Sequence, residues 1–140
     1  MKKITKITTV VAVILLLFSG CKKDDIRDKY IGDWEFETTK IYYSDFDGNE
    51  EVKRDTVYYM GKIILGGLEN ELIIQYSEND IVSVVLRDEK IYTAFGSVLG
   101  KYASGYFTGN NKIFLNLYFY RDGVRSNEVI NGMKKKGGKK

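Results

Sequence analysis

The sequence predicts a small all-β protein, an antiparallel up-and-down meander of eight or nine strands that closes into a barrel or a strongly curved sheet. Short apolar and aromatic runs recur along the chain, and turn residues separate them at short, even intervals. After the first twenty residues, no long stretch carries apolar residues at helical spacing. Its 140 residues leave room for one domain. Consecutive strands are therefore expected to pair as neighbours, which excludes a parallel sheet.

Nine segments have the pattern of strands, and residues typical of turns stand between most of them. The predicted strands cover residues 34–43, 52–60, 62–65, 71–76, 81–86, 91–95, 102–108, 112–120 and 124–133. These turn residues are Asp47-Gly48, Gly66-Gly67, Glu78-Asn79-Asp80, Arg87-Asp88-Glu89, Gly109-Asn110-Asn111 and Asp122-Gly123.

Alternation along two strands predicts which faces are buried. In the first strand Trp34, Phe36 and Thr38 share one face, opposite Glu35 and Glu37, so this strand has a dry and a wet side. The run KIFLNLYFY at 112–120 has apolar residues on both faces. One face carries Ile113, Leu115, Leu117 and Phe119, and the other carries Phe114, Tyr118 and Tyr120. This strand is either covered on both sides or bears an exposed aromatic patch.

The first twenty residues have the three parts of a cleaved secretory signal. Lys2, Lys3 and Lys6 form a basic head, the run ITTVVAVILLLF at 7–18 forms an apolar core, and Ser19 and Gly20 follow it. The apolar core is shorter than the roughly 20 residues that a membrane-spanning helix needs. We therefore expect residues 1–20 to be removed.

Cys21 is the one cysteine of the chain and directly follows these small residues. The string LFSGC at 17–21 resembles the lipobox of bacterial lipoproteins. The resemblance implies that Cys21 is acylated, becomes the new N-terminus, and holds the protein to a membrane through its acyl chains. An ordinary secretory signal followed by a free cysteine is the alternative.

The residues that follow Cys21 bear on the destination. Lys22 stands where an aspartate would resemble a signal for retention at the inner membrane, so the outer membrane is expected. The run CKKDD at 21–25 resembles the lysine-plus-acids export signal of Bacteroidetes-type lipoproteins, which implies exposure at the outer face. A merely charged tether is the other interpretation. The predicted organisation is a tether at 21–32, a β domain at 33–133 and a basic, disordered tail at 134–140.

Charge argues against nucleic-acid binding. The chain has 22 basic and 19 acidic residues, but three of the lysines lie in the leader and five in the tail. Residues 22–133 are therefore net acidic and lack the basic stripe that nucleic acids require. The lysine tail is expected to be solvated, with contact to anionic lipid as the alternative.

Two segments resemble the boundaries of small lipocalin-like bacterial lipoproteins: IGDWEF at 31–36 and VINGMKK at 129–135. The resemblance implies a barrel with a binding role. Five bulky aromatics are expected inside, where they either fill the barrel or line a pocket: Trp34, Phe36, Tyr92, Phe95 and Phe107.

The sequence predicts no enzyme and no cofactor. It contains no histidine, which excludes histidine-based triads, and its one thiol is assigned to lipid. Asp45, Asp47 and Glu50 flank Gly48 as calcium ligands would, but Asp-Gly between two strands is first of all a hairpin turn. Two functions stay open: a barrel that binds a small apolar or glycan ligand, and an interaction protein whose aromatic sheet face docks onto an envelope protein or polysaccharide.

Overall fold

A computed structural model describes residues 24–43, 51–94, 101–121 and 124–136 of the chain. Eight antiparallel strands form a closed barrel in which each strand pairs with its neighbours in sequence and the last strand pairs with the first. The strands are β1 Gly32–Tyr43, β2 Glu51–Leu65, β3 Glu71–Gln75, β4 Ile81–Arg87, β5 Lys90–Thr93, β6 Lys101–Thr108, β7 Lys112–Arg121 and β8 Val124–Lys134. The predicted all-β, up-and-down fold is confirmed, and this is the architecture of lipocalin barrels.

The break predicted between residues 60 and 62 was wrong, because β2 runs through Gly61 without interruption. Gly61 pairs with Trp34 of β1 at the point where β3 joins on the other side. A Cβ atom at position 61 would lie 1.9 Å from the Gln75 carbonyl oxygen. The glycine therefore permits the close approach of β3 and does not end the strand.

Alternation along β1 places the residues as predicted. Trp34, Phe36 and Thr38 are buried inside the barrel, whereas Glu35 is exposed and Glu37 partly exposed on the outside. Tyr92 was wrongly predicted to lie inside; its side chain is 45% exposed. It follows the buried Ile91 on the short β5, so the two-residue period directs it outward. Phe95 lies outside the described residues.

Residues 25–31 close one end of the barrel and are called the plug here. The plug contains a short 3-10 helix, Asp28–Tyr30, whose Tyr30 is fully buried and stacks on Phe107 with the ring centroids 3.7 Å apart. The indole nitrogen of Trp34 donates a 2.8 Å hydrogen bond to the Tyr30 carbonyl oxygen. No helix in the described parts of the chain is long and apolar enough to cross a membrane.

Arg27 fastens the plug to the barrel rim. Its guanidinium donates hydrogen bonds of 2.7 and 3.0 Å to the carbonyl oxygens of Leu68 and Glu71, and it pairs with Asp25. The Arg27 side chain beside Asp25 lowers the pKa of that carboxyl group to about 2. Because the buried arginine has its charge and its donors satisfied, the plug is an integral part of the domain.

Candidate functional site

The residues singled out from the sequence as site candidates lie outside the described residues. This holds for Cys21 and for the possible calcium ligands Asp45, Asp47 and Glu50. In the parts of the chain that the structure does describe, no group of three or more acidic, cysteine or histidine side chains is arranged to hold a metal ion.

The interior next to the plug is filled by the protein's own side chains. Trp34, Phe36 and Tyr30 are completely buried there, and Phe107 is 3% exposed. Phe36 fits between two strands that carry glycines, since a Cβ atom at Gly61 or at Gly132 would lie within 3 Å of its ring. The plugged half of the barrel therefore has no room for a ligand among the described residues.

The wall of the barrel is uneven in height. β1 and β2 have 12 and 15 residues, whereas β3 and β5 have only five and four. Pairing between β2 and β3 covers residues 62–65 of β2, so the inner face of the β1–β2 pair continues beyond the end of β3. A pocket of about 340 Å³ lies at this step, away from the plug. We call it the distal pocket; its lining includes Thr38, Lys40, Val57, Tyr59, Tyr76 and Asp80.

A polar cluster forms one side of the distal pocket. Lys40 follows the buried residues of β1 in the same alternation, and its ammonium group lies 3.1 Å from Glu128 Oε1 and 3.2 Å from Asp80 Oδ2. The Tyr76 hydroxyl donates a 2.7 Å hydrogen bond to Glu128 Oε2. Glu128 is only 7% exposed. Its carboxyl group lies inside the barrel, where it contacts Lys40 of β1 and Tyr76, the residue directly after β3.

These contacts fix the protonation states of the cluster. Burial, together with the adjacent Glu128 carboxylate, raises the pKa of the Tyr76 hydroxyl, which remains protonated and acts as a donor. Burial disfavours the charge on Lys40, but the hydrogen bonds and charges of Glu128 and Asp80 outweigh it and raise the pKa of the lysine. The Tyr76 hydroxyl and the Lys40 ammonium group are therefore both protonated at neutral pH.

Thr38 supplies the unpaired group of the site. Its side chain is 2% exposed, and its hydroxyl oxygen has no hydrogen-bond partner among the described residues. The great majority of buried hydroxyl groups are hydrogen-bonded, because an unpaired one costs free energy. Thr38 thus contributes a buried hydroxyl group without a partner among the described residues, and it is one of the residues that line the distal pocket.

The cluster of Lys40, Tyr76 and Glu128 was not predicted from the sequence. Lys40 is two residues after Thr38, and the alternation that directs Trp34, Phe36 and Thr38 inward also directs Lys40 inward. That signal was available. The pairing of Lys40 with Glu128 was not available from the sequence, because the two residues are far apart in it and only the pairing of β8 with β1 brings them together.

A second feature lies on the outer wall, where exposed aromatic side chains occupy neighbouring strands. We call it the aromatic strip; it comprises Tyr102, Tyr106, Phe114, Tyr118 and Tyr120 of β6 and β7. The four tyrosines are between 49% and 66% exposed, and the ring of Phe114 stacks on Tyr106 with the centroids 5.4 Å apart. The outer face of β7 is therefore the exposed aromatic patch, one of the two alternatives that its sequence left open.

The fold and the site together describe an eight-stranded up-and-down barrel with one plugged end and a polar pocket at the other. Comparison with known proteins adds little: no protein-family model matches the chain, and no significant match was found among curated proteins. Among solved structures the chain is similar to "Odorant Binding Protein OBP1", with 18% sequence identity and a TM-score of 0.42. The similarity covers 77% of this chain and 73% of that one. A similarity this distant carries no weight for function.

Proposed function

We propose that the protein is a lipid-anchored lipoprotein of the bacterial cell envelope that binds a small ligand in the distal pocket, as a lipocalin-like binding module. The observation that supports this function best is the buried, unpaired hydroxyl group of Thr38 at the wall of a pocket that Lys40 also lines. A ligand that hydrogen-bonds to Thr38 removes the cost of that unpaired group.

The residues that line the distal pocket indicate which kind of ligand fits it. Val57 and Tyr59 offer an apolar wall, while Thr38, Lys40 and Asp80 offer hydrogen-bonding groups on the other side. A volume of about 340 Å³ is at the lower end of the range for small-molecule sites. The ligand is thus a small molecule with an apolar body and at least one hydroxyl or amide group, a description that includes a small glycan.

The role is binding without catalysis. The raised pKa of Tyr76 keeps its hydroxyl protonated, and the raised pKa of Lys40 keeps its ammonium group charged. Neither group is therefore available as a general base or a nucleophile at neutral pH. Both are suited to hold a ligand through hydrogen bonds.

Anchoring through Cys21 would orient the barrel relative to the membrane. The chain from Cys21 to Asp25, where the plug begins, spans at most about 14 Å. Acyl chains on Cys21 therefore keep the plugged end close to the membrane surface and leave the distal pocket facing away from it. That orientation suits a module that takes its ligand from the space outside the outer membrane.

Native mass spectrometry tests the pocket. The protein is extracted from the envelope in mild detergent, and any small molecule that denaturation releases is weighed. We expect a released molecule from the wild type and its loss from Thr38→Leu, which removes the hydroxyl and fills the pocket. The matched control Thr56→Leu, on the exposed outer face of β2, retains the molecule. No released molecule from the wild type, or the same yield from both variants, contradicts the proposed site.

Membrane fractionation with intact mass tests the anchor separately. We expect the wild type in the membrane fraction, with a chain that begins at Cys21 and carries acyl chains. Cys21→Ala should lack the acyl mass and leave the membrane. An unacylated wild type in the soluble fraction contradicts the anchor but not the pocket.

A further inference from the structure

We propose that the aromatic strip is a second binding surface, which takes a neutral polysaccharide chain. The strip lies on the outer wall of the barrel, whereas the distal pocket lies on the inner face of β1 and β2. The two sites therefore share no residue, and this inference is independent of the proposed ligand of the pocket.

The strand register arranges the outer wall in rows. Tyr106 lies opposite Phe114 in one row, Ser104 opposite Asn116 in the next, and Tyr102 opposite Tyr118 in the third. Tyr120, opposite Arg125 of β8, begins a fourth row. Because alternate residues of a strand are about 6.8 Å apart, the four rows cover about 20 Å of the surface. One polar row thus lies between aromatic rows, and the four rows together cover a length that fits several sugar units.

The side chains next to the rings continue this pattern onto β8 and β1. Asn116 is followed across the sheet by Val129 and Thr39, and Tyr118 is followed by Asn127 and Ile41. Apart from the tyrosine hydroxyls, these two central rows contain no ionisable group. A neutral ligand matches this surface, while a strongly charged polymer finds no counter-charge in its centre.

Hydrogen-bonding groups in the same rows suit sugar hydroxyls. The oxygens Asn116 Oδ1 and Asn127 Oδ1 are shielded from water and accept no hydrogen bond from the described residues. The Asn116 side chain already donates a 2.8 Å hydrogen bond to the Tyr118 hydroxyl, which brings amide and ring together.

Composition distinguishes a polysaccharide from a protein partner. The core of a protein–protein interface is dry and rich in apolar contacts, with polar groups at its rim. Here the polar row of Ser104 and Asn116 runs through the middle of the strip, between two aromatic rows. A polysaccharide, whose C–H faces alternate with hydroxyl groups, is complementary to such an alternation.

Grooves at both ends of the aromatic strip can accommodate a polysaccharide chain. One groove, of about 490 Å³, is lined by Tyr106 and Phe114 together with Glu37 and Asn131. The other, of about 510 Å³, is lined by Tyr102, Tyr118 and Tyr120 together with Arg125. Aromatic rings of the strip line both grooves, so that a single chain contacts them in sequence.

Affinity electrophoresis in native gels that contain xylan, mannan or dextran tests the strip. We expect at least one of these neutral polysaccharides to retard the protein, and Tyr102→Ala and Tyr118→Ala each to weaken the binding by roughly tenfold. Tyr118→Phe, which keeps the ring, should bind like the wild type within about threefold. Ile81→Ala is the matched control, because Ile81 is 56% exposed on the outer face of β4 and lies off the strip.

Two results overturn the proposal. In the first, none of the three polysaccharides retards the folded wild type. In the second, retardation occurs but is equal in Tyr102→Ala, Tyr118→Ala and Ile81→Ala. Thermal unfolding of each variant shows that the protein is folded, and retention of the pocket ligand by the strip variants separates this test from that of the distal pocket.

Discussion

The Tyr76 hydroxyl and the Glu128 carboxylate are joined by a 2.7 Å hydrogen bond inside the barrel, from the end of β3 to the middle of β8. A carboxylate that is 7% exposed is costly to bury, and Tyr76 and Lys40 together offset that cost. Apolar residues of similar size would fill the same space more simply. Under the proposed function, this polar cluster forms hydrogen bonds with the ligand.

Removing the Tyr76 hydroxyl should destabilise the barrel. In Tyr76→Phe the carboxylate of Glu128 keeps Lys40 but loses a buried donor, so we expect the free energy of unfolding to fall by about 1–3 kcal/mol. Urea unfolding followed by tryptophan fluorescence measures this change. Tyr92→Phe is the matched control, because the Tyr92 side chain is 45% exposed, and its midpoint should not move. Equal midpoints for both variants would mean that the Tyr76–Glu128 bond contributes nothing.

A methyl group at position 132 should disturb the core. A Cβ atom on Gly132 would lie 2.5 Å from Ile113 Cγ2 and 2.8 Å from the Phe36 ring. We expect Gly132→Ala to lower the free energy of unfolding by about 1–3 kcal/mol, as overpacked cores do. A Cβ atom on Gly67 would have its nearest neighbour 3.8 Å away, so Gly67→Ala should hardly change the stability. Thermal unfolding of the two variants measures the difference. Similar melting temperatures for the two variants would refute the close packing of Phe36 against β8.

Loss of Arg27 should loosen the plug. Arg27→Ala leaves the carbonyl oxygens of Leu68 and Glu71 without their charged donor, and it releases Asp25. Trp34, the single tryptophan of the chain, donates its indole hydrogen bond to Tyr30 in the plug. We therefore expect the tryptophan emission to shift to longer wavelength as water reaches the indole. Arg87→Ala, at an exposed position, should leave the emission unchanged. An unchanged emission maximum in Arg27→Ala would show that the plug does not depend on this arginine.

Acid should weaken the ion pair between Arg27 and Asp25. The pKa of Asp25 is about 2 in the folded protein, below its ordinary value near 4 in an unfolded chain, so the folded state binds fewer protons over that interval. Its contribution to stability is present above about pH 4 and is lost as the pH falls toward 2. Urea midpoints measured across this range should decline for the wild type. Asp25→Asn should start from a lower midpoint at pH 7 and decline less; a parallel decline would assign the acid sensitivity to other carboxyl groups.

Much of the fold was predictable because it depends on local patterns. The alternation around Trp34 and Phe36 fixed the buried face of β1, and the turn residues Asp88 and Glu89 have the positive φ angles that a tight hairpin needs. The strand break predicted at residue 61 is wrong, since β2 continues through this glycine. Its actual role, to let Gln75 approach, depends on a contact between strands that no local pattern records.

The candidate site was less predictable, for a physical reason. Lys40, Tyr76 and Glu128 come from three distant parts of the sequence, and only barrel closure sets the distances between them. A buried charge is also rare, so that the local rules which place apolar residues inside give no reason to expect one. The aromatic strip, in contrast, follows from the two-residue period of β7 and was one of the alternatives that the sequence offered.

The most direct test of the binding account is a crystal structure of the protein purified from its own envelope without unfolding. We predict a bound small molecule in the distal pocket, with a polar atom within hydrogen-bond distance of Thr38 Oγ1 and its apolar body against Val57 and Tyr59. A distal pocket that contains only water, or that the protein's own side chains fill, would contradict the proposal that this barrel is a small-ligand binding module.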